Sequence, residues 1–193
     1  MIENKIDLRK YLYADEIARF GEHVSLFRKI KMGDMWFYNV HLRKLEYWLN
    51  CRSGFYGSLM AALHRIRLKQ LGIKLGWSIS PNTFGPGLCI AHWGTVVVNG
   101  GARIGSNCRI HVCVNIGANG GGVEDTPSIG NNVYIGPGAK IFGKIIIGDN
   151  TVIGANSVVN KSFLEGGCTI AGIPAKIISN NDSSRFIKQI NYN

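Results

Sequence analysis

Apolar side chains recur every six positions through the middle of the chain. Isoleucine or valine occupies this register, and glycine often follows directly. A period of six matches neither the 3.6 of a helix nor the alternation of a half-buried strand. It is typical of a short strand followed by a tight turn, a unit that then repeats. The branched side chain points inward, and Gly or Asn occupies the turn positions that need positive φ. The register comprises Ile104, Ile110, Ile116, Ile129, Ile135, Ile141, Ile147, Ile153 and Val159.

Three such strands make one coil of a triangular parallel β-helix, so the repeat predicts a mainly β fold with about four coils. Upstream the period is looser, through Phe84, Ile90 and Val96. Residues 118–128, ANGGGVEDTPS, interrupt the repeat, which resumes on the far side. They predict a loop extruded from one corner, which is either part of a binding face or a tolerated surface insertion.

The two ends of the chain follow other patterns. Residues 1–76 contain FYNVHLRKLEYWLN and GFYGSLMAALHRIRLKQLGI, whose apolar residues are spaced by three and four. This spacing predicts an N-terminal cap of two or three helices that covers the open end of the β-helix. The β-helix is predicted over residues 77–178, and residues 179–193 form a polar tail. Within the tail we expect residues 180–184 to be loose and residues 185–190 to form a short helix.

Length and composition narrow the class of protein. The 193 residues fit one domain with an appendage, and no apolar run reaches the ~18–20 residues that span a bilayer. The N-terminus lacks the apolar region of a signal peptide, which favours a cytoplasmic protein. The five cysteines are odd in number and include no C-x-x-C pair, so a disulfide framework or a metal site is not expected.

The net charge of +10 is uneven, because residues 1–76 hold fourteen Lys and Arg against seven Asp and Glu. A basic excess favours polyanions, a membrane surface or a phosphorylated cofactor. No nucleic-acid-binding motif accompanies it, so no nucleic-acid partner is predicted. The basic cap could contact the inner face of a membrane or a lipid-linked glycan, or be an ordinary solvated face. The residues considered are Arg43, Lys44, Arg52, Arg65, Arg67, Lys69 and Lys74.

The stretch IAHWGT places His92 between glycine turns and an apolar run. Imidazole is the side chain suited to taking a proton from an alcohol near neutral pH, so His92 is a candidate general base. The alternative is a structural histidine in the core or a turn. His111, one position after Ile110, is a weaker candidate for a substrate contact.

The segments GPGLCIAHWGTVVVN, IGPGAKIFGKIIIG, IGANSVV and GIPAKII, in this order, resemble the serine acetyltransferase-like branch of the hexapeptide acyltransferases. The resemblance covers about residues 77–178. It implies a left-handed parallel β-helix, a homotrimer, acetyl-CoA bound between neighbouring β-helices, and transfer of acetyl to a hydroxyl. It also implies that His92 is the catalytic base.

Other residues are candidates for the site, and those for acetyl-CoA are implied by the same resemblance. Candidates for contacts with acetyl-CoA are Gly117, Gly136, Pro137, Gly138, Ala139, Gly154, Ala155, Lys161 and Lys176. Gly117, together with Gly120, is also a candidate oxyanion donor through its backbone N–H. Candidates for contacts with the acceptor are Trp93, His111, Glu124 and Asp125. Trp93 could equally be a packing residue, and each lysine an ordinary surface charge.

The sequence departs from the family pattern at two places. Ser78 stands where the family has an Asp that orients the catalytic histidine, so another group, with Glu46 as one guess, must do this. In the loop, Asp125 and Thr126 replace an Arg and a His. A carboxylate substrate favours a cation, so this loop favours a sugar of a capsule or exopolysaccharide precursor as acceptor. The alternatives are L-serine, N-acetylation of an amino sugar, and a non-catalytic scaffold.

Overall fold

The protein is described from a computed structural model at residues 1–120, 122 and 124–187. Its helices are α1 (Lys5–Phe20), α2 (Leu26–Met32), α3 (Asp34–Cys51) and α4 (Gly54–Leu75). Its strands are β1 (Trp77–Ile79), β2 (Cys89–Ile90), β3 (Val96–Val98), β4 (Arg103–Ile104), β5 (Arg109–Ile110), β6 (Val114–Gly117), β7 (Ser128–Ile129), β8 (Tyr134–Ile135), β9 (Lys140–Phe142), β10 (Ile146–Ile147), β11 (Val152–Ile153), β12 (Val158–Val159), β13 (Thr169–Gly172) and β14 (Ala175–Ser179).

The strands form a triangular β-helix. Sheet A has the order β1-β3-β6-β9-β12, sheet B the order β4-β7-β10, and sheet C the order β2-β5-β8-β11-β13-β14. The chain passes from sheet A to B to C and back to A in each coil, so the neighbouring strands of a sheet are parallel. At the end, β13 and β14 pair antiparallel. We name each corner by the sheets it joins: A–B, B–C and C–A.

The hexad residues stack on one another in the core, as predicted. In sheet C, Ile110, Ile135 and Ile153 are direct register partners, and each is 0% exposed. The register differs from the prediction at one place. Val98, the last residue of β3, is the register partner of Ile116, whereas Val96, the first, is the partner of Val114.

The predicted loop leaves the β-helix at the A–B corner, between β6 and β7. Ile104 and Ile129 are direct register partners, so the whole segment between them makes a single coil. The loop is therefore an insertion within one coil that leaves the stacking of the sheets intact.

Asparagines line the B–C corner. Asn107, Asn132 and Asn150 all have positive φ, which Asn tolerates better than other residues with a Cβ. The amide of Asn107 donates to Asn132 at 2.9 Å, and that of Asn132 donates to Asn150 at 3.0 Å. These bonds join successive coils at the turns, in addition to backbone bonds such as that from the Asn132 N–H to the Ser106 carbonyl.

The cap has four helices, where the sequence predicted two or three. The two segments that indicated them lie in α3 and α4, and neither α1 nor α2 was located from the sequence. Of these two, α1 is the longer. Asn4 caps its N-terminus by accepting from the backbone N–H groups of Ile6 and Asp7, and Gly21 ends it with φ of 80°. The helix was missed because its buried positions include Asp15 and Glu16, which break the apolar pattern. None of the described helices is long and apolar enough to cross a bilayer.

The start of the tail is ordered, contrary to the expectation of a loose segment. Ser183 is 1% exposed; its backbone N–H donates to the Asn150 carbonyl and its hydroxyl to the Asn132 carbonyl. A short 3-10 helix covers Ser183–Arg185. The last residues of the predicted helix, 188–190, lie outside the described residues.

Candidate active site

His92 lies on a turn at the C–A corner of the first coil, and its side chain is exposed. The N–H of Ala91 donates to the Ile110 carbonyl at 2.9 Å, which fixes the turn to the next coil. The N–H of Gly94 donates at 2.9 Å to the Leu75 carbonyl at the end of α4. Gly94 has φ of 126°, a conformation open to glycine alone. The backbone that carries His92 is therefore held from both sides.

The strand ahead of His92 is held by side chains of the cap. Arg19 of α1 donates to the Ile90 carbonyl at 2.6 Å, and Asn39 of α3 donates to the Leu88 carbonyl at 3.1 Å. Asp15 accepts from the N–H groups of Gly87 and Leu88 at 2.9 and 2.8 Å. Sequence reasoning missed these residues, because isolated polar residues on a predicted helix look like its solvated face.

A buried ion network links the cap helices to this coil. Arg43 is 0% exposed and donates to Asp15 at 2.9 Å and to Glu46 at 3.0 Å. Burial by itself would lower the pKa of Arg43, but the two carboxylates more than offset this effect and hold that pKa above its ordinary value. Arg43 also donates to the carbonyls of Phe84 and Gly85.

This network corrects two expectations. Arg43 was considered for a basic membrane-facing surface, but its guanidinium lies in the interior. Glu46 was the guess for the group that orients His92. Its two carboxylate oxygens are instead bound to Arg43 and to the backbone N–H of Asn82. A second member of the basic set, Lys74, pairs with Asp34.

His111 lies beside His92, on the next coil. The centroids of the two rings are 6.1 Å apart, and the His111 ring is 5.1 Å from that of Tyr134. Burial lowers the pKa of His111, and the charges of Arg109 and His92 add to this effect. Its Nε2 atom is buried and has no hydrogen-bond partner among the described residues. The structure thus brings two imidazoles and an aromatic side chain together, and sequence reasoning did not single out Tyr134.

The His92 ring itself makes no hydrogen bond within the described part of the chain. Ser78, at the position of the family's Asp, lies exposed on sheet A as the register partner of Val97. Trp93 is 71% exposed, so it does not pack within this chain and stays accessible to a ligand. The arrangement offers an accessible imidazole, fixed in place through its backbone, that can accept and return a proton.

Most of the predicted acetyl-CoA residues line the same C–A corner as His92. They are Gly136, Pro137, Gly138, Gly154 and Ala155. Packing alone also requires glycine at these positions. A Cβ on Gly136 would lie 2.8 Å from the Ala155 nitrogen, and a Cβ on Gly154 would lie 2.8 Å from the Ala171 Cβ. The small residues therefore leave little side-chain bulk on this corner. Lys176 of β14 is exposed and pairs with Ala171 near this corner.

Ala139 is a correction to this set. Its side chain is 0% exposed and belongs to the hydrophobic core. Its carbonyl accepts from the Asn115 N–H at 3.0 Å, and its N–H donates to the Gly136 carbonyl at 3.4 Å. Ala139 therefore has no free group to offer a ligand in a surface groove.

The remaining candidates lie at the A–B corner, so a single chain does not bring them to His92. Gly117 ends β6, Glu124 and Asp125 belong to the loop that follows it, and Lys161 follows β12. Asp125 accepts from the Lys144 N–H at 3.1 Å. Arg103, Glu124 and Lys144 line a hollow of about 380 Å³. The loop is therefore accompanied by cations that the sequence did not associate with it.

Comparison with known proteins gives a family match. The family described as bacterial transferase hexapeptide (six repeats) matches residues 126–161. Serine acetyltransferase of Helicobacter pylori is 39% identical over 131 residues, which cover 63% of this chain and 76% of that protein. Serine acetyltransferase of Synechococcus elongatus is 33% identical over 137 residues, which cover 70% of this chain and 53% of that protein. The chain thus spans only about half the length of some of these relatives.

Solved structures agree with the family match. Soybean serine acetyltransferase, as an apoenzyme, superposes with a TM-score of 0.73 at 28% identity, covering 90% of this chain and 70% of that one. Serine acetyltransferase of Brucella abortus in complex with coenzyme A gives a TM-score of 0.69 at 28% identity, covering 91% and 68%. The predicted fold class, a left-handed parallel β-helix with an N-terminal helical cap, is confirmed.

Proposed function

The chain belongs to the serine acetyltransferase-like branch of the hexapeptide-repeat acyltransferases, and we propose that it transfers an acetyl group from acetyl-CoA to the hydroxyl of L-serine. The observation that carries the proposal is His92, exposed on a turn that the cap and the second coil both hold. The serine acetyltransferases among its relatives favour L-serine as the acceptor. This choice departs from the sugar that the loop sequence favoured.

In the proposed mechanism, the neutral imidazole of His92 accepts the proton of the acceptor hydroxyl while that oxygen attacks the thioester carbonyl. The C–O bond forms, the C–S bond breaks, and the imidazolium returns its proton to the departing CoA thiolate. The turn supplies the positioning, because the N–H groups of Ala91 and Gly94 are both anchored. The ring centroid of His111 is 6.1 Å from that of His92, so His111 borders the path of the acceptor.

The surroundings of the loop repel a substrate carboxylate less than the loop sequence suggested. Glu124 and Asp125 are acidic, but Arg103 and Lys144 border the same hollow as Glu124. The Asp125 carboxylate is also engaged by the Lys144 N–H. A cation for the carboxylate of serine is therefore available at this corner without the family's loop Arg.

A sugar hydroxyl remains the second candidate acceptor. Glu124 is exposed and has no hydrogen-bond partner among the described residues, and Asp125 still stands where the family has an Arg. Carboxylates are the natural partners of sugar hydroxyls, because an ionised carboxylate can only accept hydrogen bonds. A capsule or exopolysaccharide precursor is the class of sugar proposed.

We further propose that the site is completed by a second copy of the chain in a homotrimer. His92 lies at the C–A corner, whereas Glu124, Asp125 and Gly117 lie at the A–B corner. A neighbouring β-helix packed side by side would set its A–B corner against this C–A corner. The substrate pocket would then have one wall from each copy.

The test is release of free CoA from acetyl-CoA, with L-serine compared against nucleotide sugars and amino sugars. Turnover on L-serine alone supports the proposal. Turnover on a neutral sugar alone overturns the serine assignment and supports the loop-based alternative, and N-acetylation of an amino sugar overturns both. Binding of CoA without turnover on any acceptor would point to a non-catalytic scaffold.

A Glu124→Gln variant with Glu165→Gln as control sharpens the choice of acceptor. Both changes remove one exposed carboxylate, but Glu165 lies outside the loop and should leave KM unchanged for either acceptor. For a sugar acceptor, loss of the Glu124 carboxylate should raise KM about tenfold. For serine it should leave KM unchanged or lower it.

A further inference from the structure

A cavity of about 210 Å³ lies between the cap, sheet C and the tail, away from the turn of His92. It is bordered by the end of α1, by the starts of β2 and β5, and by residues 184–187 of the tail. Three arginines line it: Arg19 of α1, Arg109 of β5 and Arg185 of the 3-10 helix. Segments far apart in the chain thus bring three cations to one enclosed space.

Arg19 is only partly satisfied by the protein. One terminal nitrogen donates to the Ile90 carbonyl at 2.6 Å. Its Nε atom is buried and has no hydrogen-bond partner in the part of the chain that the structure describes. Burial lowers the pKa of Arg19, and the like charge of Arg109 acts in the same direction, while Cys89 and Asp15 oppose it. A buried guanidinium N–H without an acceptor is costly unless a ligand supplies one.

The other two arginines also lack a counter-ion. Arg109 and Arg185 form no ion pair with any described residue. No Asp or Glu side chain lines the cavity within the described ranges. Asp15 is the carboxylate whose charge acts on Arg19 and raises its pKa. Its oxygens, however, are already bound by Arg43 and by the N–H groups of Gly87 and Leu88. Among the residues that the structure describes, no carboxylate therefore balances the positive charge in this cavity.

We propose that this cavity is a binding site for a single oxyanion of the phosphate class, either free phosphate or the phosphate group of a small metabolite. An arginine guanidinium offers forked N–H donors whose geometry matches phosphate oxygens, and three arginines line this cavity. The volume suits one such group with a short substituent. The side chains of Asn107 and Ser184, which also line the cavity, provide further polar surface. The proposal does not rest on acetyl transfer, because phosphate binding can be measured without turnover, even though Arg19 also binds the Ile90 carbonyl ahead of His92.

Occupancy would tie the cap to the tail. Arg19 belongs to α1 and Arg185 to the tail, while Arg109 belongs to the β-helix between them. In the tail, the N–H groups of Phe186 and Ile187 both donate to the Ser183 carbonyl. Phe186 also stacks on Tyr134 with ring centroids 4.5 Å apart. An anion held by all three arginines should therefore slow the opening of this short turn.

The test is titration of the full chain with inorganic phosphate by calorimetry at constant ionic strength, with chloride as the balancing anion. The proposal predicts saturable binding at one site per chain. Arg109→Gln should weaken binding at least about tenfold, because a charge-assisted contact is lost. Arg185→Gln, at an exposed position of the tail, should weaken binding in the same direction. Arg28→Gln, which removes an exposed arginine elsewhere, should leave the Kd unchanged.

Hydrogen exchange gives a readout that surface binding would not produce. Phosphate should slow exchange at the N–H groups of Phe186 and Ile187 in the wild type, but not in Arg185→Gln. The absence of saturable binding overturns the proposal, as does equal weakening in Arg28→Gln. Competition between CoA and phosphate would identify a phosphate of CoA as the source of the anion, and the absence of competition would identify free phosphate or another metabolite.

Discussion

The β-helix and the helical cap are stabilised in different ways. The β-helix repeats one contact, the stacking of branched apolar side chains such as Ile110, Ile135 and Ile153 on successive coils. The cap adds to its apolar packing a buried ion network that has no counterpart in the described coils, in which Arg43 joins Asp15 and Glu46. A repeated contact tolerates a local change, whereas a unique buried ion network does not. The comparison therefore predicts that the cap is the more fragile of the two regions toward a charge-removing substitution.

The two regions meet at the segment that carries His92. The second coil holds one side of it, through Ala91 and the Ile110 carbonyl. The cap holds the other side, through Gly94 and the Leu75 carbonyl, and the strand ahead of it through Arg19 and Asn39. The reactive group thus depends on both kinds of stabilisation at once.

The largest effect on stability is expected from Arg43→Met, which keeps the bulk of the side chain and removes its charge. Asp15 and Glu46 would be left buried without their cation, so the free energy of unfolding should fall by about 3–5 kcal/mol. Denaturant unfolding measures the loss. Arg28→Met removes an exposed ion pair with Glu22 and should cost less than about 1 kcal/mol. Equal costs for the two variants would contradict the claim that burial makes the difference.

The β-helix offers a matched pair on one strand, β10. Ile147 is 1% exposed and Ile146 is 53% exposed. Ile147→Ala should lower the free energy of unfolding by about 2–5 kcal/mol, because it opens a cavity in the core. Ile146→Ala should change it by less than about 1 kcal/mol. If the two variants lost the same stability, the inward stacking of the hexad residues would not be the source of the stability of the coils.

The smallest effect is expected from two histidines of the cap. The Nδ1 atoms of His41 and His64 are 2.9 Å apart. Burial, and then the charges of His64 and Lys44, lower the pKa of His41 to about 4, and burial and Lys44 lower the pKa of His64. Between about pH 6.5 and pH 4 the unfolded chain binds protons that the folded chain does not, so stability falls as the pH falls through this window.

Because both rings are partly exposed, this effect should stay below about 1 kcal/mol. Unfolding measured at pH 7 and pH 5 should show a smaller loss in the double variant His41→Gln, His64→Gln than in the wild type. Ile146→Ala, which leaves both rings in place, serves as the control. An unchanged pH dependence in the double variant would rule out the histidine pair as its source.

The sequence was informative where one contact repeats and uninformative where a contact occurs once. The hexad isoleucines identified the coils, because each one must be apolar and branched to stack. The loop was found because it breaks that period. Nothing comparable marks Asp15 or Arg43, since a buried charge and a solvated one look alike in a sequence.

The site shows the same division. His92 could be predicted, because its chemistry and the surrounding motif both point to it. The separation of Glu124 and Asp125 from His92 could not be predicted, because it depends on which corner each turn occupies. The roles of Arg19 and Asn39 depend on contacts between residues far apart in the chain. Such contacts are set by how the cap packs on the first coil, which the local pattern does not encode.

The most direct test of the account is the steady-state rate of CoA release by His92→Ala, measured with the acceptor that supports turnover in the wild type, together with its affinity for CoA. The account predicts that kcat falls by about 10²–10⁴-fold, because the general base is lost, while the Kd for CoA stays within about twofold of the wild-type value. A variant that binds CoA normally and retains full kcat would contradict the assignment of His92 and with it the proposed mechanism.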